Sequence, residues 1–353
     1  MFFRNVNLIK VKKLAKSNIH FTSNDFAEIA DIVYSERSPR HNFNKLKRKV
    51  VDISDDPNFL CMTTNLIDFK ISDNSVVFCN TNQLDNLFYH LKKINELKNI
   101  TLITHQTDQL ITKTLYEKKP KSILNWYSVN VDYKTENLHP IPIGLASDFS
   151  LKNLTSESFD DLLIGNFKKT NTDLYLNFNI NTNFKERQRI EKLFKNKKYA
   201  KIDLENTNKD RYLNNIKKFG FVLCPWGNGV DTHRLWETLY AGSIPVTKWH
   251  YTYKCTEGLP VLFVERYEDI NEDLLRTFMN SLNVQNYNFE PLTKNYWVNK
   301  IKNNSEMGRE FYVSENSFET LLFRYKKNIL RLVNSSFKRI ITIINKLYKK
   351  LLS

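Results

Sequence analysis

The stretch that decides the fold is FVLCPWGNGVDTHRLWETLYAGSIPVTK, residues 221–248. Its apolar beginning is typical of a buried strand that ends at Pro225, and the glycines that follow allow a sharp turn. Asp231 or Thr232 can cap the helix predicted next, and Gly242 ends that helix before a second strand. Strand, glycine loop, helix and strand in this order predict a parallel βαβ unit.

The same alternation of strand and helix extends upstream and downstream of this stretch. In the first half of the chain, strands are predicted at 75–79, 100–104 and 125–129, with helices at 83–97 and 110–115. In the second half, strands are predicted at 173–179, 219–224, 244–247 and 261–264, with helices at 184–194 and 232–241. The predicted fold class is therefore α/β, with two doubly wound parallel units in series and helical material after about residue 271.

The length of 353 residues favours more than one domain, because one hydrophobic core rarely serves a chain of this size. We predict an N-terminal unit over 1–155, a second unit over 156–275 and a helical extension over 276–353. The polar stretch 152–161 is predicted to link the two units. No apolar run is long enough to cross a bilayer and no signal-peptide core is visible, so we expect a cytoplasmic protein.

The formal net charge of +15 is concentrated at the C-terminal end. Residues 321–353 hold nine basic side chains and no acidic one, which leaves 53 − 9 = 44 basic against 38 acidic residues elsewhere. A basic end attracts nucleotide diphosphates, membrane surfaces or nucleic acid, and a solvated basic face is an equally weighted interpretation. The same segment carries an apolar helical seam from Leu330 through Val333 to Leu351, for which docking or self-association is favoured over a membrane surface.

The segment 221–248 also has the side chains of a nucleotide site. Gly227 and Gly229 let the backbone approach a ligand, and the amides at the start of the following helix attract an anion. Arg234 can grip a diphosphate with two hydrogen bonds, and Glu237, one turn later, can accept from two vicinal hydroxyls. The alternative is an ordinary ion pair between Arg234 and Glu237 on a helix surface.

This segment resembles the donor-binding core of the exostosin-like glycosyltransferases. The matching motifs are PWG at 225–227, RLWE at 234–237 and GSIPV at 242–246, with weaker echoes at 104–108, 142–145 and 177–187. We expect a departure from the animal exostosins, since neither a membrane anchor nor a stem is predicted from this sequence. It also has GNGVDTH where those proteins have a shorter, serine-rich loop.

The resemblance implies a GT-B architecture, in which two Rossmann-like domains face each other and the second binds the nucleotide-sugar. It implies an inverting enzyme that transfers a sugar from a UDP- or GDP-sugar to a glycan or other hydroxyl acceptor without an active-site metal. It also implies that Arg234, the helix amides, Thr232, His233 and either Arg187 or Lys248 offset the phosphate charge. The chain contains no Asp-x-Asp triplet, and its cysteines and histidines lack zinc-site spacing.

An inverting transferase needs a base on the cleft face of the first unit, within reach of the acceptor hydroxyl. Asp108 and His105 follow the strand predicted at 100–104, and Asp148 follows a turn at 141–145. We rank Asp108 above Asp148, while His105 can serve as base or orient the acceptor. Each residue has an alternative role in a helix cap or a turn.

Two other functional classes stay open at this point. A nucleic-acid-binding protein would use the basic end, although no zinc-finger or RNA-recognition signature is present. A non-catalytic partner could retain a GT-B-like fold without turnover, since a fold does not guarantee activity.

Overall fold

The structure is a computed structural model that describes residues 20–34, 37–38, 60–61, 69–146, 153–159, 172–204, 208–302 and 306–313, and the single positions 325, 329, 333 and 336. The predicted α/β class is confirmed, because two five-stranded parallel sheets dominate these residues. The structure also contains two small antiparallel pairs of strands. Among the helices that it describes, none combines the length and apolar character needed to cross a bilayer.

The first sheet follows the order of the chain from one edge to the other. Its strands are β1 (Ile32–Tyr34), β5 (Val76–Asn80), β6 (Ile100–His105), β7 (Ile123–Ser128) and β8 (Leu138–Pro140). The central strands β5 and β6 are buried at every position, as expected for parallel strands covered on both faces. Helix α1 (Ser23–Ile29) precedes β1, helix α2 (Leu84–Lys92) joins β5 to β6, and the single turn α3 (Lys113–Tyr116) lies between β6 and β7.

Two predicted helices of the first unit are shorter than expected. The helix predicted over 83–97 ends at Lys92, and the chain turns before Leu97, which is buried. The helix predicted over 110–115 is wrong at its start, because Ile111 forms a parallel bridge with Val131 and helix begins only at Lys113. Pairing with a neighbouring segment satisfies the Ile111 backbone, so the local helical pattern is overridden there.

In the second sheet all strands are parallel, but the direction in which successive strands are added changes once. Its spatial order is β10 (Ala200–Ile202), β9 (Leu174–Leu176), β11 (Phe221–Leu223), β12 (Ile244–Lys248) and β13 (Leu262–Val264). The connecting helices are α4 (Phe184–Phe194), α5 (Lys209–Lys218) and α6 (His233–Tyr240), so the helix predicted at 184–194 is confirmed in full. The chain moves outward from β9 to β10 and then returns to β11, so the strand order changes direction between β9 and β11. Open parallel sheets form their ligand-binding crevice at the carboxyl ends of two such strands.

The C-terminal segment returns to the first unit. After α7 (Glu272–Ser281), helix α8 (Lys294–Ile301) packs against α1, and Lys294 pairs with Asp25 and Glu28 at 2.7 Å each. Strand β14 (Glu310–Val313) then pairs antiparallel with β4 (Phe69–Ser72), so the expectation of purely helical material after about residue 271 is wrong. The remaining pair is β2 (Arg37–Ser38) with β3 (Leu60–Cys61). The predicted seam of the last helix lies outside the described residues except for Val333, which is helical and exposed.

One aromatic cluster joins the cores of the two sheets. Phe21 lies edge-on to Phe26, Trp236, Tyr240 and Trp297, at ring distances of 5.6 to 6.5 Å. Phe26 belongs to α1, Trp236 and Tyr240 belong to α6, and Trp297 belongs to α8. The apolar interior is therefore continuous from one unit to the other.

The predicted linker over 152–161 takes part in the same interior. Its residue Phe159 is fully buried and lies 5.8 Å from the ring of Tyr240. Leu154 is buried as well. Where the structure describes it, this stretch is therefore packed against the body rather than a free connection.

Replacing Phe21 with alanine should destabilise the fold strongly. The Phe21 ring contacts both units, and its removal would leave a cavity between them. We expect a loss of about 3–5 kcal/mol in the free energy of unfolding, measured with chemical denaturant. Leu124→Ala on β7, where the side chain is 44% exposed, is the control and should change stability by no more than about 0.5 kcal/mol. Equal effects of the two substitutions would contradict a shared core centred on Phe21.

Candidate functional site

The candidate site is the crevice at the carboxyl ends of β9 and β11, between the loops 177–183 and 224–232. The two loops approach closely at Gly227. A Cβ atom at that position would lie 3.2 Å from Nη2 of Arg187 and 3.7 Å from Oγ1 of Thr182. Glycine therefore lets the second loop pack directly against the first.

Arg187 connects the two sides of this crevice. Its Nε donates to the Trp226 carbonyl and its Nη2 to the Pro225 carbonyl, both at 2.9 Å. Its Nη1 donates to the Asn179 carbonyl at 2.8 Å and to Thr182 Oγ1 at 2.6 Å. The side chain was predicted to contact phosphate, but the structure commits four of its five N–H groups to the protein.

The electrostatic setting of Arg187 is unusual for arginine. The residue is only 4% exposed. Burial, and after it the charge of nearby Arg234, lowers the pKa of Arg187 to about 10. The group is still protonated at neutral pH, so two positive charges lie close together at the crevice.

The loop that follows Gly227 packs against the first unit. Gly227 donates to the Gly229 carbonyl at 2.9 Å, whereas the amides of Asn228, Gly229 and Val230 donate to no acceptor among the described residues. A Cβ on Gly229 would lie 2.9 Å from Asn130 Nδ2 and 3.2 Å from Asp108 Oδ1. This loop is thus where the two units come closest around the site.

Asp231 fixes that approach with a carboxylate that is 2% exposed. The carboxylate accepts from the Ile143 amide at 2.8 Å, from the Thr232 amide at 2.9 Å and from Trp236 Nε1 at 3.0 Å. The Asp231 amide donates to Asn130 Oδ1 at 2.9 Å. Burial raises the pKa of Asp231 to about 7, against the opposing effect of these N–H donors.

The start of α6 differs in detail from the sequence prediction. Thr232 occupies the N-cap position, but its side chain makes no capping hydrogen bond and its buried Oγ1 has no partner among the described residues. His233, predicted near the donor phosphate, instead directs Nδ1 to the Gly144 carbonyl at 2.8 Å. Because a carbonyl only accepts, Nδ1 carries the proton, and the ring ties α6 to the first unit. No local pattern predicts the partners of Asp231 and His233, because Ile143 and Gly144 lie almost 90 residues away in the chain.

Arg234 and Glu237 lie one turn apart on α6 and do not form the ion pair considered as an alternative. Within the described part of the chain, no carboxylate lies within 4 Å of the half-buried Arg234 guanidinium, and its Nε has no hydrogen-bond partner. Its guanidinium carbon lies 6.0 Å from the centre of the Tyr212 ring. Glu237, 5% exposed, accepts from the Tyr212 hydroxyl at 2.8 Å. Burial raises the pKa of Glu237, and the charge of Arg234 counteracts this effect.

Lys248, also predicted to offset phosphate charge, has partners within the protein. It forms an ion pair with Glu186, and its Nζ lies 4.4 Å from the centre of the Trp226 ring. Its ammonium group therefore supports the loop 224–232 from the side of β12. Trp236 is fully buried, as expected for a helix-borne core residue, whereas Trp249 is 53% exposed.

The base candidates of the first unit have different surroundings. His105 is 1% exposed and stacks on Phe26. Its Nδ1 accepts from the Gln106 amide at 2.8 Å, and its Nε2 donates to the Pro142 carbonyl at 3.1 Å. Burial lowers the pKa of His105 to about 3, so the ring is neutral and both nitrogens are engaged.

Asp108 is exposed in the loop after β6, next to Gly229 of the second unit. Of the predicted base candidates, it is the one that the structure brings to the glycine loop. Asp148 lies outside the described residues.

No protein-family model matches the chain, and no curated protein is similar to it. The exostosin-like family stays a prediction, and the functional proposal below depends on the geometry of the crevice. Among the described residues, no three His, Cys, Asp or Glu side chains are arranged to hold a metal ion. The expectation of a metal-free active site likewise stays a prediction.

The stability of the fold should depend on pH through His105. The unfolded chain binds a proton on this ring below about pH 6.5, whereas the folded ring resists protonation until about pH 3. Stability contributed by this group is therefore complete above pH 6.5 and is lost as the pH falls toward 3. His105→Asn, which does not titrate, should lose less stability between pH 7.5 and pH 5 than the parent protein does in denaturant unfolding. An equal loss in both proteins would contradict the buried neutral ring.

Proposed function

We propose that this chain is a nucleotide-sugar-dependent glycosyltransferase with a GT-B-like arrangement, in which the second unit binds the donor and the first unit faces the acceptor. One observation carries the proposal. The Arg234 guanidinium and the amides of 228–230, which have no acceptor among the described residues, lie where the strand order of the second sheet changes direction, and Asp108 of the first unit lies against the same loop. Ligands of open parallel sheets bind at such reversals.

A diphosphate is the ligand that best fits the polar groups at this crevice. Backbone amides and the amino end of α6 attract negative charge, and Arg234 can donate two parallel hydrogen bonds to phosphate oxygens. Arg187 adds a second positive charge from behind the loop. Since no described carboxylate lies within 4 Å of Arg234, its charge is available to an incoming anion.

Glu237 is our candidate for binding the ribose of the nucleotide. One of its carboxylate oxygens accepts from Tyr212, while the other has no hydrogen-bond partner among the residues described. That second oxygen can accept from a ribose hydroxyl one helical turn away from the diphosphate site of Arg234. The donor would then be a UDP- or GDP-sugar, with its sugar directed toward the first unit.

Asp108 is our candidate for the general base. It would remove the proton of the acceptor hydroxyl while the acceptor oxygen forms a bond to the anomeric carbon and the bond from that carbon to the diphosphate oxygen breaks. The nucleoside diphosphate leaves with the electron pair, which Arg234 and the loop amides stabilise. His105 is a poorer candidate because both of its nitrogens are engaged within the protein. Asp148 stays the alternative.

A thermal-shift panel of UDP, GDP, CMP and their sugars, without and with Mg²⁺, tests the nucleotide class. We expect one nucleoside diphosphate to raise the melting temperature, because a ligand that binds only the folded state stabilises it. Indifference to Mg²⁺ would agree with charge balance by the protein alone. No shift with any nucleotide, together with salt-sensitive binding of RNA or DNA, would favour the nucleic-acid alternative.

Arg234→Ala should weaken nucleotide binding by roughly 10–100-fold, the effect of losing charge-assisted hydrogen bonds. Calorimetric titration with the nucleotide from the panel measures this change. Arg276→Ala on α7 removes an exposed arginine paired with Glu272 and is the matched control, for which we expect unchanged affinity. Normal affinity and turnover in the Arg234 variant would rule out the assigned diphosphate site.

Asp108→Asn should reduce turnover by about 10²–10⁴-fold while nucleotide affinity survives, because the base acts on the acceptor and not on the donor. Asp148→Asn is the comparison, since only the true base should show this separation of turnover from binding. A parent protein that binds the nucleotide but transfers no sugar to any acceptor tested would favour the non-catalytic alternative.

A further inference from the structure

We infer that Arg187 is a positioning residue that holds the loop 224–232 in its ligand-binding conformation by hydrogen bonding to this loop and to the loop 177–183 at the same time. The inference deepens the proposed function and rests on it for the identity of the ligand. The conformational part of the inference depends only on contacts within the protein.

The contacts of Arg187 span the crevice. Asn179 and Thr182 belong to the loop that follows β9, whereas Pro225 and Trp226 belong to the loop that follows β11. Three of the four acceptors are backbone carbonyls, so the guanidinium fixes the orientation of peptide groups directly. Asn183 adds a weaker contact of the same kind, from its side-chain amide to the Trp226 carbonyl at 3.4 Å.

The charge of Arg187 is solvated by these oxygens and not by a carboxylate. The neighbouring Glu186 pairs with Lys248, and no described carboxylate lies within 4 Å of the Arg187 guanidinium. A buried cation without a carboxylate partner is stable only if dipoles replace its lost water. The four oxygens do so, and separation of the two loops would break the hydrogen bonds that solvate the guanidinium.

The amides of 228–230 depend on this arrangement. The carbonyls of Pro225 and Trp226 are held immediately before Gly227, where a Cβ would lie 3.2 Å from Nη2 and would press on the guanidinium. At its other end the loop is held by Asp231. With both ends fixed, the intervening amides are ordered before the anion arrives, which reduces the entropy lost on binding.

Lysine cannot reproduce these bonds. Its ammonium group carries three donors on a single nitrogen, whereas the acceptors of Arg187 are arranged around the three nitrogens of a planar guanidinium. Arg187→Lys keeps the positive charge but removes the planar set of donors. It therefore distinguishes a positioning role from electrostatic attraction alone. Arg189→Ala on the same helix removes an exposed arginine paired with Glu268 and is the matched control.

The first measurement is hydrogen–deuterium exchange of residues 224–232 in the nucleotide-free protein. We expect both Arg187→Ala and Arg187→Lys to accelerate exchange there by about tenfold or more, with β13 unaffected and Arg189→Ala unchanged. Unchanged exchange in Arg187→Lys, with a folded protein, would overturn the positioning role. If Arg187→Ala does not fold, Arg187→Lys and Thr182→Val still test it, the latter with a smaller acceleration.

The second measurement is nucleotide affinity with rescue. Arg187→Ala should bind the nucleoside diphosphate about 10–100-fold more weakly, and millimolar guanidinium ion should restore part of the loss where NaCl at equal ionic strength does not. Weak binding without faster loop exchange would mean that Arg187 contacts the ligand directly, which overturns the inference. Faster exchange in the variants of a parent protein that binds no nucleotide would support the positioning role and overturn the proposed function instead.

Discussion

The buried carboxylate of Asp231 is the interaction on which the geometry of the site depends. It lies in the glycine loop of the second unit, yet it accepts from the Ile143 amide of the first unit and from Trp236 of α6. Its own amide bonds to Asn130, which lies beyond β7. Asp231 thus links the first unit, α6 and the glycine loop at one point, because a buried carboxylate must keep its donors.

Other contacts between the units extend this constraint. His233, two residues after Asp231, bonds to the Gly144 carbonyl, and His250 bonds to Asp132 at 3.1 Å. Behind these polar contacts, Phe21 fills the space between α1 and α6. The polar contacts surround the crevice and the aromatic contacts lie behind it, so the crevice sits against a packed interior rather than a flexible joint.

Local structure was largely predictable where local forces decide it. The helix Phe184–Phe194 and the strand–loop–helix–strand order of 221–248 follow from apolar periodicity, glycine and proline, and the structure agrees. The errors fall where a distant segment competes. Ile111 pairs with Val131 rather than joining a helix, and Glu310–Val313 becomes a strand because Phe69–Ser72 offers it an antiparallel edge.

The sequence by itself determined the two α/β units, the glycine loop and the presence of Arg234 and Glu237 on one face of α6, because periodicity and turn chemistry act over a few residues. Only the tertiary structure decided what those residues meet. In the structure both nitrogens of His105 are engaged and Arg187 donates to backbone carbonyls. No carboxylate of the described residues lies within 4 Å of Arg234, and Asp108 lies next to Gly229. These outcomes depend on strand order and on the docking of two units, and contacts between residues far apart in the chain leave no local pattern to predict them.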